Sequence, residues 1–319
     1  MFTINKIQRT DFNEVWILKD ESSQTCAAIL PACGAILHSF VVDNHGERTN
    51  VIDSYDREED FRRLVTSLGF KGCKLSPFVC RIKNGEYSFD GKDYKIKKYY
   101  DGQNALHGVL YDQSFSVIRQ EATETKAIIS MICSYRGSDP GYPFSYDCII
   151  TYELLKDNQL NVITMIVNKD DSVIPVQDGW HPYFRLWDKI DNLQLEFQSA
   201  NMLEFDEELI PTGKLIKYDK FNSLKTFGKT VFDNCFALNF ESGKPICVLR
   251  NKEKKIEIQI HPDISYPYLQ FYTPAHRKSI AIENISGAPD GFNNGLGVKT
   301  VSPGESVVFS TTYKISLLK

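Results

Sequence analysis

The chain has 319 residues, 42% hydrophobic and 24% charged, with a formal net charge of −4. That composition is ordinary for a globular protein, and the length suits one large domain or two average ones. The acidic balance argues against nucleic acid or an anionic membrane as partner, since both favour a basic face.

The first fifteen residues, Met1 to Val15, mix charged and polar side chains without an apolar core, so no secretory leader is expected there. Ala35 to Val42 alternates Ile36, His38, Phe40 and Val42 against Leu37, Ser39 and Val41, the period of a half-buried strand. Phe61, Leu64, Val65 and Leu68 recur at helical spacing. With Asp56 and Glu59 placed as a capping box and Gly69 as a stop, they predict a helix over Arg57 to Leu68. Glu86 to Phe89, Asp90-Gly91 and Lys92 to Ile96 read as a tight hairpin, because Asp-Gly supplies the positive φ of a two-residue turn. Tyr146 to Leu155 and Gln159 to Val167 form a second hairpin around Lys156 to Asn158. Val173 to Val176 is strand-like, and Leu193, Leu195 and Phe197 alternate. Lys244 to Arg250 and Lys255 to Ile260 flank the solvated turn Lys252-Glu253-Lys254-Lys255; Tyr268 to Tyr272, Ser279 to Glu283 and Ser306 to Leu317 complete the series. Many short strands with one helix imply a large antiparallel sandwich or barrel. No Gly-, Ser- or Pro-rich linker divides the chain, so residues 1–319 read as one domain.

The eight cysteines contain no CxxC pair and read as reduced thiols of a cytoplasmic protein. The apolar runs are too short to span a bilayer. The six histidines, at 38, 45, 107, 181, 261 and 276, form no zinc-binding helix pair, and no Walker loop, GxGxxG or GxSxG is present. No metal or cofactor is expected.

Five residues are candidates for chemistry. His107, before Gly108 and after the Asp101-Gly102 turn, is either a cleft residue or an ordinary turn histidine. His181, in Gly179-Trp180-His181-Pro182-Tyr183-Phe184, is surrounded by rings; partial desolvation favours its neutral form and a proton-transfer role, against the alternative of a satisfied core histidine. Asp233, in an apolar setting, must be paired, cap a turn or bind something polar. In Ser279 to Glu283, Ile280 and Ile282 are expected to face the core, leaving Glu283 beside the small residues Ser279 and Ala281 with room for a ligand, or exposed at a strand end. Arg81 needs a partner for its guanidinium, either an internal carboxylate or a ligand hydroxyl.

Taken in order, these segments resemble the aldose 1-epimerase (galactose mutarotase) family. The resemblance rests on Arg81-Ile82, Asn104 to Gly108, His181 to Phe184, Asp233 with Phe236, Tyr272-Thr273, Ile280 to Glu283, Pro289-Asp290 and Pro303-Gly304-Glu305. It implies a large antiparallel β-sandwich, the galactose mutarotase-like supersandwich, with few short helices and a sugar in a concave cleft. It also implies interconversion of the α and β anomers of a free hexose such as galactose or glucose, without metal or cofactor, by a monomer or homodimer. Glu283 is implied as the general base at the anomeric hydroxyl and His181 as the general acid at the ring oxygen, with His107, Arg81 and Asp233 holding the sugar. Departures from the family pattern are Cys80 for Asn, Val109 for the second Gly, Phe115 as the nearest ring where a Trp often stands, Arg185 for Asn and Asn284 for Pro. Two other readings remain: a non-catalytic carbohydrate-binding protein on the same scaffold, and a hexose-phosphate mutarotase, suggested by Arg185 and these departures.

Overall fold

A computed structural model describes residues 1–319 except Asp188 and Ser242. Strands dominate, and they pair antiparallel in three main sheets. A nine-stranded sheet runs, in spatial order, through Ser116–Ala122, Lys126–Arg136, Ser145–Leu155, Gln159–Asn168, Ser306–Leu317, Ile256–Pro262, Cys247–Asn251, Gln194–Phe197 and Lys225–Thr226. Its third and fourth strands form the predicted long hairpin, in which Tyr146 pairs with Asn168 and Leu155 with Gln159. Asp157 and Asn158 take the positive φ angles that close the turn. Tyr146, Cys148, Ile150, Tyr152 and Leu154 point inward from one face at every second residue, the strand period that places a whole side of the sheet in the core.

The second sheet carries the site. Pro211–Lys217, Ser199–Phe205, Asp233–Leu238, Tyr268–Tyr272, Ile280–Ile285, Gly179–Trp180 and Lys74–Leu75 follow one another, and Tyr183–Phe184 joins Ile280–Ile285 to Ile52–Asp53. Rings from the two sheets meet: Tyr152 lies 6.0 Å from Trp180, and Phe184 lies 5.4 Å from Tyr313. This is the sandwich expected from the strand pattern, with aromatic area filling the interior. Phe197, Phe232, Phe236 and Phe271 pack at mutual angles behind the strand that begins at Asp233, fixing its entry into the sheet. A five-stranded sheet, Phe2–Ile7, Val15–Asp20, Cys26–Leu30, Ile36–Asn44 and Glu47–Asn50, completes the main body.

Two sequence expectations need correction. The α-helix spans Glu58–Leu64, with Arg57 at its N-cap and no side-chain capping bond, so the Asp56/Glu59 box does not form. Its acidic first turn and basic last turn match the helix dipole instead. Beyond Leu64 the chain continues as turns, with the Phe70 amide donating to Val65 O at 2.8 Å; Val65 is buried whereas Leu64 and Leu68 are largely exposed. The helical periodicity there came from a turn that follows the helix. In Ile36–Asn44 the simple alternation also fails. A register shift opposite Ala28/Ile29 buries both Ile36 and Leu37, the first against Phe61 and the helix, the second in the main core.

All eight cysteines are free thiols; Cys26 is half-buried and the other seven are buried. Among the described residues no helix is long and apolar enough to cross a membrane.

One buried ion pair lies between the sheets. Lys74 Nζ donates to Asp178 Oδ1 and, at 3.0 Å, to Gly179 O; the Tyr266 hydroxyl donates to the same carboxylate oxygen at 2.6 Å. Both charged side chains are fully buried, and Lys74 sits 4.5 Å above the Trp180 ring. Burial pulls the Lys74 ammonium below its usual range and pushes the Asp178 carboxyl above its own, while the opposite charge of each restrains the other's shift. Lys74→Met leaves the Asp178 group alone in the core and is expected to cost about 3–5 kcal/mol in urea unfolding; Lys74→Met with Asp178→Asn is expected to recover most of it. Equal losses in the single and double variants would contradict this.

Candidate active site

The cleft is built on three neighbouring strands of the second sheet. Glu283 lies in the middle of Ile280–Ile285 and pairs across to Gln270 on Tyr268–Tyr272. That strand pairs in turn with the one that begins at Asp233, and Gln270 Nε2 donates to Asp233 Oδ1 at 2.8 Å. Glu283, Gln270 and Asp233 therefore form a row across the strands on one face. On the other side of Glu283, His181 follows Gly179–Trp180. Its backbone is held from both directions: the His181 amide donates to Cys73 O at 3.0 Å, and the Gly72 amide donates to His181 O at 2.8 Å.

His107 arrives from a separate turn. Cys80 and His107 both adopt positive φ, and the His107 amide donates to Cys80 O at 2.8 Å. Gly108, with φ +77°, follows in a close bridge to Ser76; a Cβ there would stand 2.2 Å from Ser76 O, so glycine is required for the turn to reach the site. Arg81, next to Cys80, donates to Asp101 Oδ2 at 3.0 Å and has both partners that the sequence left open: an internal carboxylate and the cavity.

The structure brings all five candidate residues, Arg81, His107, His181, Asp233 and Glu283, to one cavity of about 200 Å³, with Phe70, Tyr99, Tyr183 and Tyr272 among the rings around them. His181 Nε2 lies 3.3 Å from Glu283 Oε1, and both side chains are buried. The His181 ring stacks on Tyr183 (5.2 Å, 11°) and meets the His107 ring edge-on (5.0 Å, 88°). His107 in turn packs on Phe70 at 4.6 Å. The expected open space over Ser279 and Ala281 is not where the cavity lies. Ser279 Oγ donates to Asp53 at 2.6 Å, Ala281 pairs with Tyr183 of the adjacent strand, and neither residue lines the cavity.

Burial governs the electrostatics. Desolvation raises the Glu283 carboxyl well above its ordinary value, nearby Asp233 raises it further, and Arg81 opposes both. Desolvation lowers the His181 imidazole to about 3. His107 is lowered well below its usual value, by burial first and then by His181 and Arg81. Asp233 is raised by burial, with Arg81 and the Gln270 amide acting the other way. Burial thus disfavours the charged form of both groups, which works against a standing His181–Glu283 ion pair across the 3.3 Å contact.

Among the described residues, four buried polar atoms of this cluster have no hydrogen-bond partner: His107 Nδ1, His181 Nδ1, Gln270 Oε1 and Glu283 Oε2. Each such group costs roughly 1–3 kcal/mol when left unmet in a dry interior. Their concentration around one cavity suits a ligand rich in hydroxyls, each able to donate and accept. Among the described residues no group of three or more His, Cys, Asp or Glu side chains is placed to hold a metal ion.

Gln270 is the site residue that sequence reasoning missed. Its strand reads as alternating core, and its row with Glu283 and Asp233 exists only through a register between segments far apart in the chain. Tyr99 and Phe70, which also line the cavity from segments outside the strands, were missed as well.

The fold is that of galactose mutarotase-like proteins. One from Clostridium acetobutylicum superposes with a TM-score of 0.87 over 99% of each chain at 17% identity. The galactose 1-epimerase of Lactobacillus acidophilus NCFM gives 0.83 over 100% of this chain and 99% of its own at 19% identity. The family model of aldose 1-epimerase matches residues 17–314. The aldose 1-epimerase of Streptococcus thermophilus is 26% identical over 80% of this chain and 76% of its own length, and the galactose mutarotase of Sus scrofa 25% over 73% and 67%. The chain belongs to the aldose 1-epimerase family, a family of isomerases.

Proposed function

We propose that this protein, acting as a single mutarotase-like domain, interconverts the α and β anomers of a free hexose such as galactose or glucose, with Glu283 as general base and His181 as general acid. The observation that carries the reading is the buried His181–Glu283 contact of 3.3 Å on the wall of a small polar cavity. The two groups stand side by side, not on opposite walls. This suits their targets, because the anomeric hydroxyl and the ring oxygen are attached to the same carbon. Glu283 takes the proton from the hydroxyl on C1, whose oxygen electrons form the carbonyl. The C1–O5 bond breaks, its electron pair goes to O5, and His181 delivers a proton there. Rotation about C1–C2 presents the other carbonyl face, and the reverse transfers close the ring.

The proton inventory supports this cycle. A protonated Glu283 facing neutral His181 and an ionised Glu283 facing protonated His181 contain the same number of protons. The Arg81 guanidinium favours the carboxylate form, and sugar hydroxyls supply hydrogen bonds to polar atoms that have no protein partner among the described residues. Arg81, His107 and Asp233, with Gln270, hold the sugar hydroxyls.

Polarimetry on freshly dissolved α-D-galactose, α-D-glucose and a panel of other aldoses tests the reading. Rates no faster than buffer across the panel would refute it, and sugar binding by calorimetry without anomer exchange would show a carbohydrate-binding protein instead.

The pH dependence follows from the two shifts. The working pair contains one proton, so activity falls at low pH when His181 also becomes protonated, and at high pH when Glu283 loses its proton. Burial lowers the first transition to about 3 and raises the second well above the ordinary carboxylate value. The kcat/KM profile, corrected for spontaneous mutarotation, is therefore expected to show no acid limb near 6.5. An acid limb centred near 6.5 would contradict the burial argument.

A further inference from the structure

Arg185 is the residue in which the sequence suggested a phosphate partner, and it does not line the cleft. It opens onto a separate, larger pocket of about 590 Å³ lined by Arg48, Asn50, Arg185, Trp187, Lys189 and Lys278, none of which is shared with the cleft. We propose that this basic pocket is a second binding site, for a small organic phosphate whose ring lies against Trp187.

Charge is the first reason. The chain is acidic overall, with a net charge of −4, yet no carboxylate lines this pocket among the described residues. Arg48, Arg185 and Lys278 make no ion pair with a described carboxylate. Arg48 donates to Cys26 Sγ at 3.2 Å and to Gln24 O at 3.5 Å, both neutral acceptors, while Asp43, opposite it across the hairpin, accepts from the Gly46 amide instead. The acid on the neighbouring strand, Asp53, is committed elsewhere, to Lys71 Nζ at 3.0 Å and Ser279 Oγ at 2.6 Å. Like charges gathered around one concavity raise the local concentration of anions. Two guanidinium forks with an ammonium suit a dianionic phosphate better than a single carboxylate.

Placement is the second reason. Arg185 follows the strand Tyr183–Phe184, and its amide donates to Val51 O at 2.9 Å, so the base of the side chain is anchored. Arg48 projects from Glu47–Asn50. Trp187 is 41% exposed, against 7% for Trp16 and 3% for Trp180, and Lys254 approaches its ring to 5.6 Å. An exposed indole in a pocket that also holds Arg48, Arg185 and Lys278 offers a flat surface for the ring of a sugar or a base.

Trp187 supplies the readout, because the other two tryptophans are buried. Full-length protein is titrated at constant ionic strength with glucose 6-phosphate, ADP and inorganic phosphate while tryptophan emission is followed. A saturable change with an ester, at lower concentration than with inorganic phosphate, is expected; the ester that saturates first distinguishes a sugar phosphate from a nucleotide. Arg185→Gln is expected to weaken that binding several-fold and Arg185→Glu with Lys278→Glu at least ten-fold, with circular dichroism and hexose mutarotation unchanged. Glu283→Gln is expected to leave the titration intact. The proposal is overturned if neither ester gives a saturable change, if the change follows ionic strength alone, if the charge-reversed variant titrates like the parent, or if Glu283→Gln abolishes the response.

Discussion

Replacing Glu283 with glutamine is expected to slow mutarotation by roughly 10²–10⁴-fold, the usual contribution of a general acid or base. The substitution keeps the shape of the side chain and removes only the ability to accept the proton from the anomeric hydroxyl. Because burial already disfavours the charged form of the Glu283 carboxyl, a neutral amide suits its place in the wall of the cavity. The thermal midpoint is therefore expected to stay close to that of the parent. The loss should fall on kcat, with KM changed little, since a proton transfer belongs to the transition state and not to sugar binding. Polarimetry on galactose with circular dichroism on the same preparation separates the two effects. A folded Glu283→Gln protein with an unchanged rate would remove Glu283 from the mechanism.

His181→Asn is expected to reduce the rate over a similar range, roughly 10²–10⁴-fold, with a different accompanying signature. The imidazole stacks on Tyr183 and meets the edge of His107, so asparagine also loses ring contacts and is expected to cost on the order of 1 kcal/mol in stability. The atom facing Glu283 is Nε2, which the shorter asparagine does not reach. His181→Gln carries its amide further out and serves as the control: it can restore a hydrogen bond to Glu283 but cannot deliver a proton to O5. If the glutamine variant regained full activity, the imidazole would be a spacer and its acid role would fall.

The long hairpin of the first sheet was legible because strict alternation over Tyr146 to Val167 leaves one way to bury the apolar side, and the pairing follows from the turn. The helix was legible as an element but not in extent, since Val65 and Leu68 continue the period through turns that only tertiary contacts define. Within the site, His107, His181 and Glu283 stood out because polar residues in apolar or glycine-flanked settings ask for a partner. Gln270 gave no such signal. Its importance comes from a cross-strand neighbour, Glu283, and a side-chain partner, Asp233, both distant in sequence. Arg185 carried a readable charge, but its location outside the cleft depended on how the chain turns after Phe184. Single-residue chemistry was visible in the sequence; adjacency across strands was not.

The distribution of thiols has a practical corollary. With seven cysteines enclosed by the core and Cys26 alone half-buried, a maleimide dye has one favoured point of attachment on the native protein, with no need to remove the rest. That point touches the Arg48 guanidinium on the wall of the basic pocket. A label there sits beside the second site, whose lining shares no residue with the cleft, so the native chain already contains a handle for following that pocket.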